Sequence, residues 1–250
     1  MKKTFSAVAI FLFAYLGFLI ATLPATAVVN QFPLPKKINL YNLSGSIWHS
    51  QVAQLVVNEV SINNVNIRLS VWSLFTLTPQ LDITFGDSLI DGPEGQLVLE
   101  LSQEKAIIRD LTLFIKANEI ARQLTLPLPV TAQGNVDVTL DNVEILLHKK
   151  DQCSAASGVI TWQRAGVVAL EENIKLGQFK ANVECENGAL ALRLSPKNNL
   201  GLTFNVYVRN GNRISGSGFL KPGSNFPQAL QSTLPFLGKK DNQGRYRLSF

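Results

Sequence analysis

Apolar and polar positions alternate with a period of two along most of this chain, in short runs, and a helical period of 3.6 is rare. Val65, Ile67, Leu69 and Val71 alternate with Asn66, Arg68 and Ser70. Leu81, Ile83 and Phe85 alternate with Asp82 and Thr84, and Val136, Val138 and Leu140 with Asn135, Asp137, Thr139 and Asp141. Leu190, Leu192 and Leu194 repeat the pattern, then Leu202, Phe204, Val206 and Val208, and finally Tyr246, Leu248 and Phe250. Each run has one apolar and one polar face, as expected of a half-buried strand. Asp91 to Gly95, Gln133-Gly134-Asn135, Asn187-Gly188 and Asn210-Gly211-Asn212 carry turn residues between the runs, so they predict hairpins and antiparallel neighbours. Beyond the first 23 residues only Asn118–Leu124 and Pro227–Phe236 read as helix, both short, and no βαβ rhythm appears.

This pattern predicts an all-β, mainly antiparallel protein with few short helices. A strand apolar on one face must bury it, which with so little helix leaves a sandwich, a closed barrel or a sheet curled on itself. The curled or half-barrel-like sheet is the expectation. Its inner face would be an apolar trough, packed shut as most apolar strand faces are, or open to a partner. Gly45-Ser46-Ile47-Trp48 and Gly158-Val159-Ile160-Thr161-Trp162 look faintly alike and suggest two similar lobes with a break near 118–133.

The first residues break the pattern. Lys2 and Lys3 precede 32 uncharged residues, Thr4 to Pro35, in which Phe5–Leu23 is almost wholly apolar. Nineteen residues in a helix span roughly 28 Å, the thickness of the hydrocarbon core. A transmembrane anchor over 5–23, with Phe5, Phe11, Tyr15 and Leu23 among its residues, is therefore predicted. Its flanking positives favour a cytoplasmic start and place residues 37–250 on the other side, beyond a linker over 24–36. The competing expectation is a cleaved signal, because Ala25-Thr26-Ala27 has the small-x-small spacing of a cleavage site.

Two of the 23 basic residues lie before the apolar run, so the rest of the chain balances 21 against 18 acidic residues, a net +3. With its basic residues scattered apart from Lys239-Lys240 and Arg245-Tyr246-Arg247, this composition does not point to nucleic acid. Export gives Cys153 and Cys185, the only cysteines, a ready fate as a disulfide. That bridge would close a loop of about 33 residues and restrict the unfolded chain by on the order of 3–4 kcal/mol. Two buried free thiols are the alternative, and His49 and His148 have no spacing that completes a four-ligand metal set with them.

No nucleophile elbow, zinc-protease helix, phosphate-binding glycine loop or C-x-x-C occurs. Ser50 and His49, as strand neighbours, would point to opposite faces. His148 lies at a strand end, and Asp137 and Asp141 share a face as exposed acidic residues often do. No catalytic residue, cofactor or metal ligand is expected.

The basic start with its apolar segment, Leu43 to Trp48, Cys153 to Trp162, Leu234 to Gly238 and Gly244 to Phe250, in this order, resemble the type II secretion system protein N family of Gram-negative bacteria. The resemblance covers nearly the whole chain, and Gly45, Trp48, Gly158, Trp162, Gly244 and Tyr246 carry it as structural motif residues. It implies a single-pass inner-membrane protein with 1–4 in the cytoplasm and 37–250 in the periplasm, an accessory part of the machine that exports folded proteins. The other components of that system and the inner membrane would be its partners, and no enzyme activity is implied. A looser similarity, in Val71 to Phe75 and the Leu81 strand, is to AsmA-like proteins, whose curled sheets are thought to carry lipid. It implies a rival function in which the apolar trough holds lipid.

Overall fold

The computed structural model describes residues 2–31, 37–57, 60–87, 89–123, 130–149, 151–169, 172–209 and 213–249, without the side chains of residues 2–7, 9 and 169. Thirteen strands form one antiparallel sheet in strict sequence order: β1 (Ile38–Ser46), β2 (His49–Val57), β3 (Val60–Leu69), β4 (Gln80–Phe85), β5 (Glu94–Leu101), β6 (Lys105–Lys116), β7 (Thr131–Leu146), β8 (Cys153–Ala169), β9 (Glu172–Glu186), β10 (Ala189–Leu194), β11 (Leu202–Arg209), β12 (Arg213–Leu220) and β13 (Tyr246–Ser249). The first and last strands do not pair with each other, so the sheet is curled but unclosed. Neither a sandwich nor a closed barrel forms.

Residues directly opposite across a ladder share a face, so the register identifies the two faces. One row runs Ser44, Gln51, Asn66, Thr84, Gln96, Thr112, Thr139, Val159, Asn182, Arg193, Asn205, Ser217 and Ser249, polar in every strand but β8. On the opposite face, Leu111, Leu140, Gly158, Val183, Leu192, Val206 and Gly216 are in line. Leu69, Leu81, Leu99, Ile108, Val143 and Ala156 form a second apolar row. The alternation read along single strands therefore adds up, through register, to one wet and one greasy face for the whole sheet.

Curl has local causes. Register shifts fall at Gln96/Val98 between β5 and β6, at three places between β7 and β8, and twice between β8 and β9. Such bulges bend the strand that carries them and increase its twist. Gln133-Gly134-Asn135, expected as a hairpin turn, is one of them. There β7 runs straight on, and Gly134, at φ +90°, faces the bulged pair Arg164-Ala165 of β8. A side chain at Gly134 would begin 2.2 Å from the carbonyl of Gln163. Asn187-Gly188 does make a hairpin, with both residues at positive φ, as a two-residue turn of this kind requires. The Asn210-Gly211-Asn212 turn and Phe250 lie outside the described residues.

Among the described residues four α-helices and one 3-10 helix accompany the sheet: α1 (Lys2–Ala21), α2 (Ala25–Val29), α3 (Val71–Phe75), α4 (Ala117–Arg122) and the 3-10 helix Gln228–Leu237. The last two match the helices expected near 118 and 227, with Leu124 outside the described residues. The second is a 3-10 helix that contains Pro235, which has no N–H to donate. Val71 departs from the expectation. It starts α3 instead of ending β3, because the Ser73 hydroxyl accepts the N–H of Gln80 at 2.9 Å and donates to the Ser70 carbonyl at 2.6 Å, which reverses the chain. α1 covers most of the expected anchor, but among the described residues no helix is long and apolar enough to cross a membrane. Phe5 lies in α1 with its side chain outside those described.

Hydrophobic packing is uneven. Ala165, Ile174, Leu176 and Phe179 form one cluster, and Leu220, Phe226 and Tyr246 another, with Leu200 and Leu230 packed against both. Leu230 and Leu234 belong to the 3-10 helix, which thus covers the C-terminal end of the trough. Elsewhere cover is mixed: Val52, Val65 and Val143 are buried on the apolar face, whereas Ile83, Leu99, Ile108, Leu111 and Leu140 are half-buried. Among the described residues no large side chain is fully buried.

Candidate functional site

Three features stand out from an otherwise ordinary surface: the partly open trough, the disulfide across its floor, and a corner where α1, the β1–β2 turn and α3 meet.

Cys153 and Cys185 are bonded, with Cα atoms 5.6 Å apart. Cys185 is opposite Leu190 and Cys153 opposite Ile145, which places both on the apolar face. They join the start of β8 to the end of β9, the open end of that hairpin, where its own turn gives no support.

Motif residues hold the curl. Trp162 stacks on its cross-strand partner Phe179, ring centroids 5.6 Å apart, and its indole N–H donates to the Gln133 carbonyl at 2.9 Å. Gly158 marks a close approach of β7 and β8. A Cβ there would lie 2.5 Å from the Thr139 carbonyl and 2.8 Å from the Leu140 Cα, so glycine lets the concave face tighten. Tyr246 is buried opposite Leu220 under the ammonium of Lys240, 5.4 Å from its ring. Gly244, at φ +74°, ends the turn before it. In that turn the Asp241 carboxylate accepts the backbone N–H of Arg245 at 2.9 Å, then its guanidinium, and these bonds lower its pKa from the ordinary value. The guanidinium also lies 4.0 Å above the Phe219 ring. Lys240 and Arg245 of the basic cluster near the end of the chain are thus engaged in local contacts.

On the outer face, Glu186 is held below the usual carboxylate range by hydrogen bonds from Tyr207 and then Arg193. Lys105–Glu144 and Arg109–Glu100 pairs flank Ile107 and cover it. His49 is exposed opposite Arg68, whereas Ser50 is buried opposite Ile67, so the two face opposite ways. His148 meets only the carbonyl of Gln103, at 3.1 Å, and Asp137 accepts from the amide of Gln163. Among the described residues no group of three or more His, Cys, Asp or Glu could hold a metal ion.

The corner is apolar. Trp48, in the two-residue turn between β1 and β2, donates its indole N–H to the Ile20 carbonyl at 3.0 Å, and Ile47 N–H bonds the Leu23 carbonyl at 3.0 Å. Pro24 pairs with Ser46, and Ala25, at the start of α2, is buried against β1. Gly45, at φ +90°, lets β1 run into this turn, since a side chain there would meet the His49 carbonyl. Gly17, Ile20, Ala21 and Trp48 line one side of a cleft of about 540 Å³, and Val71, Leu74 and Phe75 line the other. Along α1, Phe11 stacks on Tyr15, and both are exposed, as is Leu23 just beyond the helix. The importance of α3 was invisible in the strand pattern; the signal that could have found it is Val71, Trp72, Leu74, Phe75 and Leu77, too apolar for a solvated connection.

These features define a class: an all-β protein made of one open, sequentially wound sheet with an apolar concave face, its helices confined to the ends and corners. Residues 36–249 match the family model described as Type II secretion system (T2SS), protein N. A protein of Aeromonas hydrophila named type II secretion system protein N is 32% identical over 254 residues, covering 100% of this chain and 98% of its own. Proteins of the same name from Vibrio cholerae serotype O1 and Klebsiella pneumoniae are 26% and 27% identical, covering 90% and 92% of this chain and 88% of their own. The chain belongs to the type II secretion system protein N family. No solved structure matches it.

Proposed function

We propose that this protein is an accessory component of a type II secretion system, tethered in the inner membrane by α1, with residues 37–250 in the periplasm, and that it works by docking other components of the system. Family membership supports the system. The single observation that supports docking over a self-contained fold is the apolar trough left half-covered across β3–β7. The strand β1 adds an edge of nine residues whose outer side, among the described residues, has one backbone bridge, Ser46 with Pro24, and packs against α2; the rest of such an edge can accept a strand from a partner.

For the anchor, α1 carries exposed apolar side chains on every side from Ile10 to Ile20, a distribution that suits lipid and not water. The hydrogen bonds from Ile47 and Trp48, with the buried Ala25, build the chain after α1 into the sheet, which favours a retained helix over cleavage at Ala25-Thr26-Ala27. A tether raises the local concentration of the sheet near its partners, so weak contacts suffice for assembly. No titratable constellation supports an enzyme.

A deletion strain tests this. Release of a type II substrate should fall and be restored by the full chain, and secretion components should co-purify with it. The same open trough supports a second reading, a lipid-holding groove. Normal secretion with phospholipid bound to the purified protein would favour that one.

A further inference from the structure

Helix α3 has no buried residue, yet it is not a loose connection. The Ser73 hydroxyl bridges Ser70 and Gln80, the Thr76 hydroxyl donates to the Ser73 carbonyl at 2.9 Å, and Thr78 N–H bonds that same carbonyl at 3.2 Å. This small hydrogen-bonded scaffold holds Trp72, Phe75 and Leu77 outward at 80%, 78% and 84% exposure. Trp72 and Phe75 pack on each other, ring centroids 5.9 Å apart. Leu77 adopts φ +56°, a left-handed conformation that costs a leucine energy and persists only where its surroundings impose it. A strained leucine and two large aromatics presented to solvent are a poor design for a water-facing corner.

Position explains them. α3 faces the last turn of α1 across the cleft lined by Ile20, Ala21, Trp48, Leu74 and Phe75. The Trp48–Ile20 and Ile47–Leu23 hydrogen bonds fix that end of α1 to the sheet. If α1 crosses the bilayer, the membrane surface therefore passes at the level of α3, where tryptophan and phenylalanine are favoured. We propose that α3 and Leu77 form a wedge that inserts into the periplasmic leaflet beside α1, so that the sheet is held to the membrane at two points and in one orientation. The occupant of this patch is the acyl and headgroup boundary of phospholipid. This inference rests on the tether proposed above.

The test uses the full chain in vesicles of phosphatidylethanolamine and phosphatidylglycerol, with acyl chains brominated near the headgroup end or unbrominated. Wild type is compared with Trp72→Phe, so that Trp48 and Trp162 stay in place, and with the double variant Phe75→Ser, Leu77→Ser. Intact disulfide and β circular dichroism confirm folding. The expected result is a blue-shifted, bromolipid-quenched emission component that Trp72→Phe removes and the double variant shifts to the red. Carbonate washing of the same vesicles separates the two ideas. A chain that stays in the membrane but whose bromolipid quenching is unchanged by Trp72→Phe would overturn the wedge alone. The wedge also fails if the Trp72 component is as open to acrylamide as free indole, α3 then facing water, or if it is shielded from acrylamide but not quenched by bromolipid, α3 then facing a second copy. Release by carbonate would overturn the tether and the wedge with it.

Discussion

At the scale of single residues, the disulfide and the close-packed glycine make the most specific demands. Cys153 and Cys185 clip the open end of the β8–β9 hairpin, and losing that restraint frees about 33 residues of unfolded chain, worth on the order of 3–4 kcal/mol. Chemical unfolding of the Cys153→Ser, Cys185→Ser variant should move to lower denaturant by about that much. An unchanged midpoint would mean that the bond restrains nothing. At Gly158 an alanine Cβ would run into the backbone of β7, so Gly158→Ala should cost about 1–3 kcal/mol in the same assay, the range for overpacking a tight site.

Acid sensitivity is also a residue-scale property. Asp241 and Glu186 have pKa values lowered in the folded chain, so each contributes stability above its unfolded value, near pH 4, and loses it as pH falls through the lower folded value. Thermal melts should thus move down below about pH 4. Asp241→Asn should flatten part of that slope, by removing the carboxylate that closes the turn before β13.

Among the elements, the 3-10 helix is the clearest structural brace, since Leu230 and Leu234 seal the end of the trough over Phe226 and Tyr246. Phe226→Ala should lower stability by about 3 kcal/mol, the lower part of the range for a buried aromatic, measured by calorimetry with the disulfide intact. Strands such as β4, β7 and β11 were legible in the sequence because each alternates cleanly and the alternation survives in register. The kinks were not. Gly134 carries the chemistry of a turn but serves a bulge, because whether a glycine reverses the chain depends on the partner strand and not on its neighbours in sequence. Val71 escaped for another reason. As the last apolar residue of an alternating run it reads as strand, and the hydroxyl of Ser73, bonded to Gln80 seven residues on, helps turn the segment from Val71 to Phe75 into an exposed helix. Among the motif residues, Trp48 and Trp162 were legible as important from sequence but not as different: one fixes α1 at a turn, the other packs mid-strand on Phe179.

For the whole molecule, a period of two foretold antiparallel strands with one greasy face and left a sandwich, a closed barrel or a curled sheet to choose from, the last being the expectation. It could not foretell how much of that inside stays open, since coverage depends on which elements fold over it; the 3-10 helix does so at the C-terminal end. If the proposed docking role holds, the working surface is the uncovered part of the trough, between the corner formed by α1 and α3 and the braced C-terminal end. The most direct test is photo-crosslinking in cells from a benzoylphenylalanine placed at Leu99, on the apolar face, with Thr84 on the polar face as control. Adducts with another protein of the secretion system at Leu99, absent at Thr84, are the predicted result. Adducts with phospholipid alone, or none at either position in a strain that secretes normally, would contradict it.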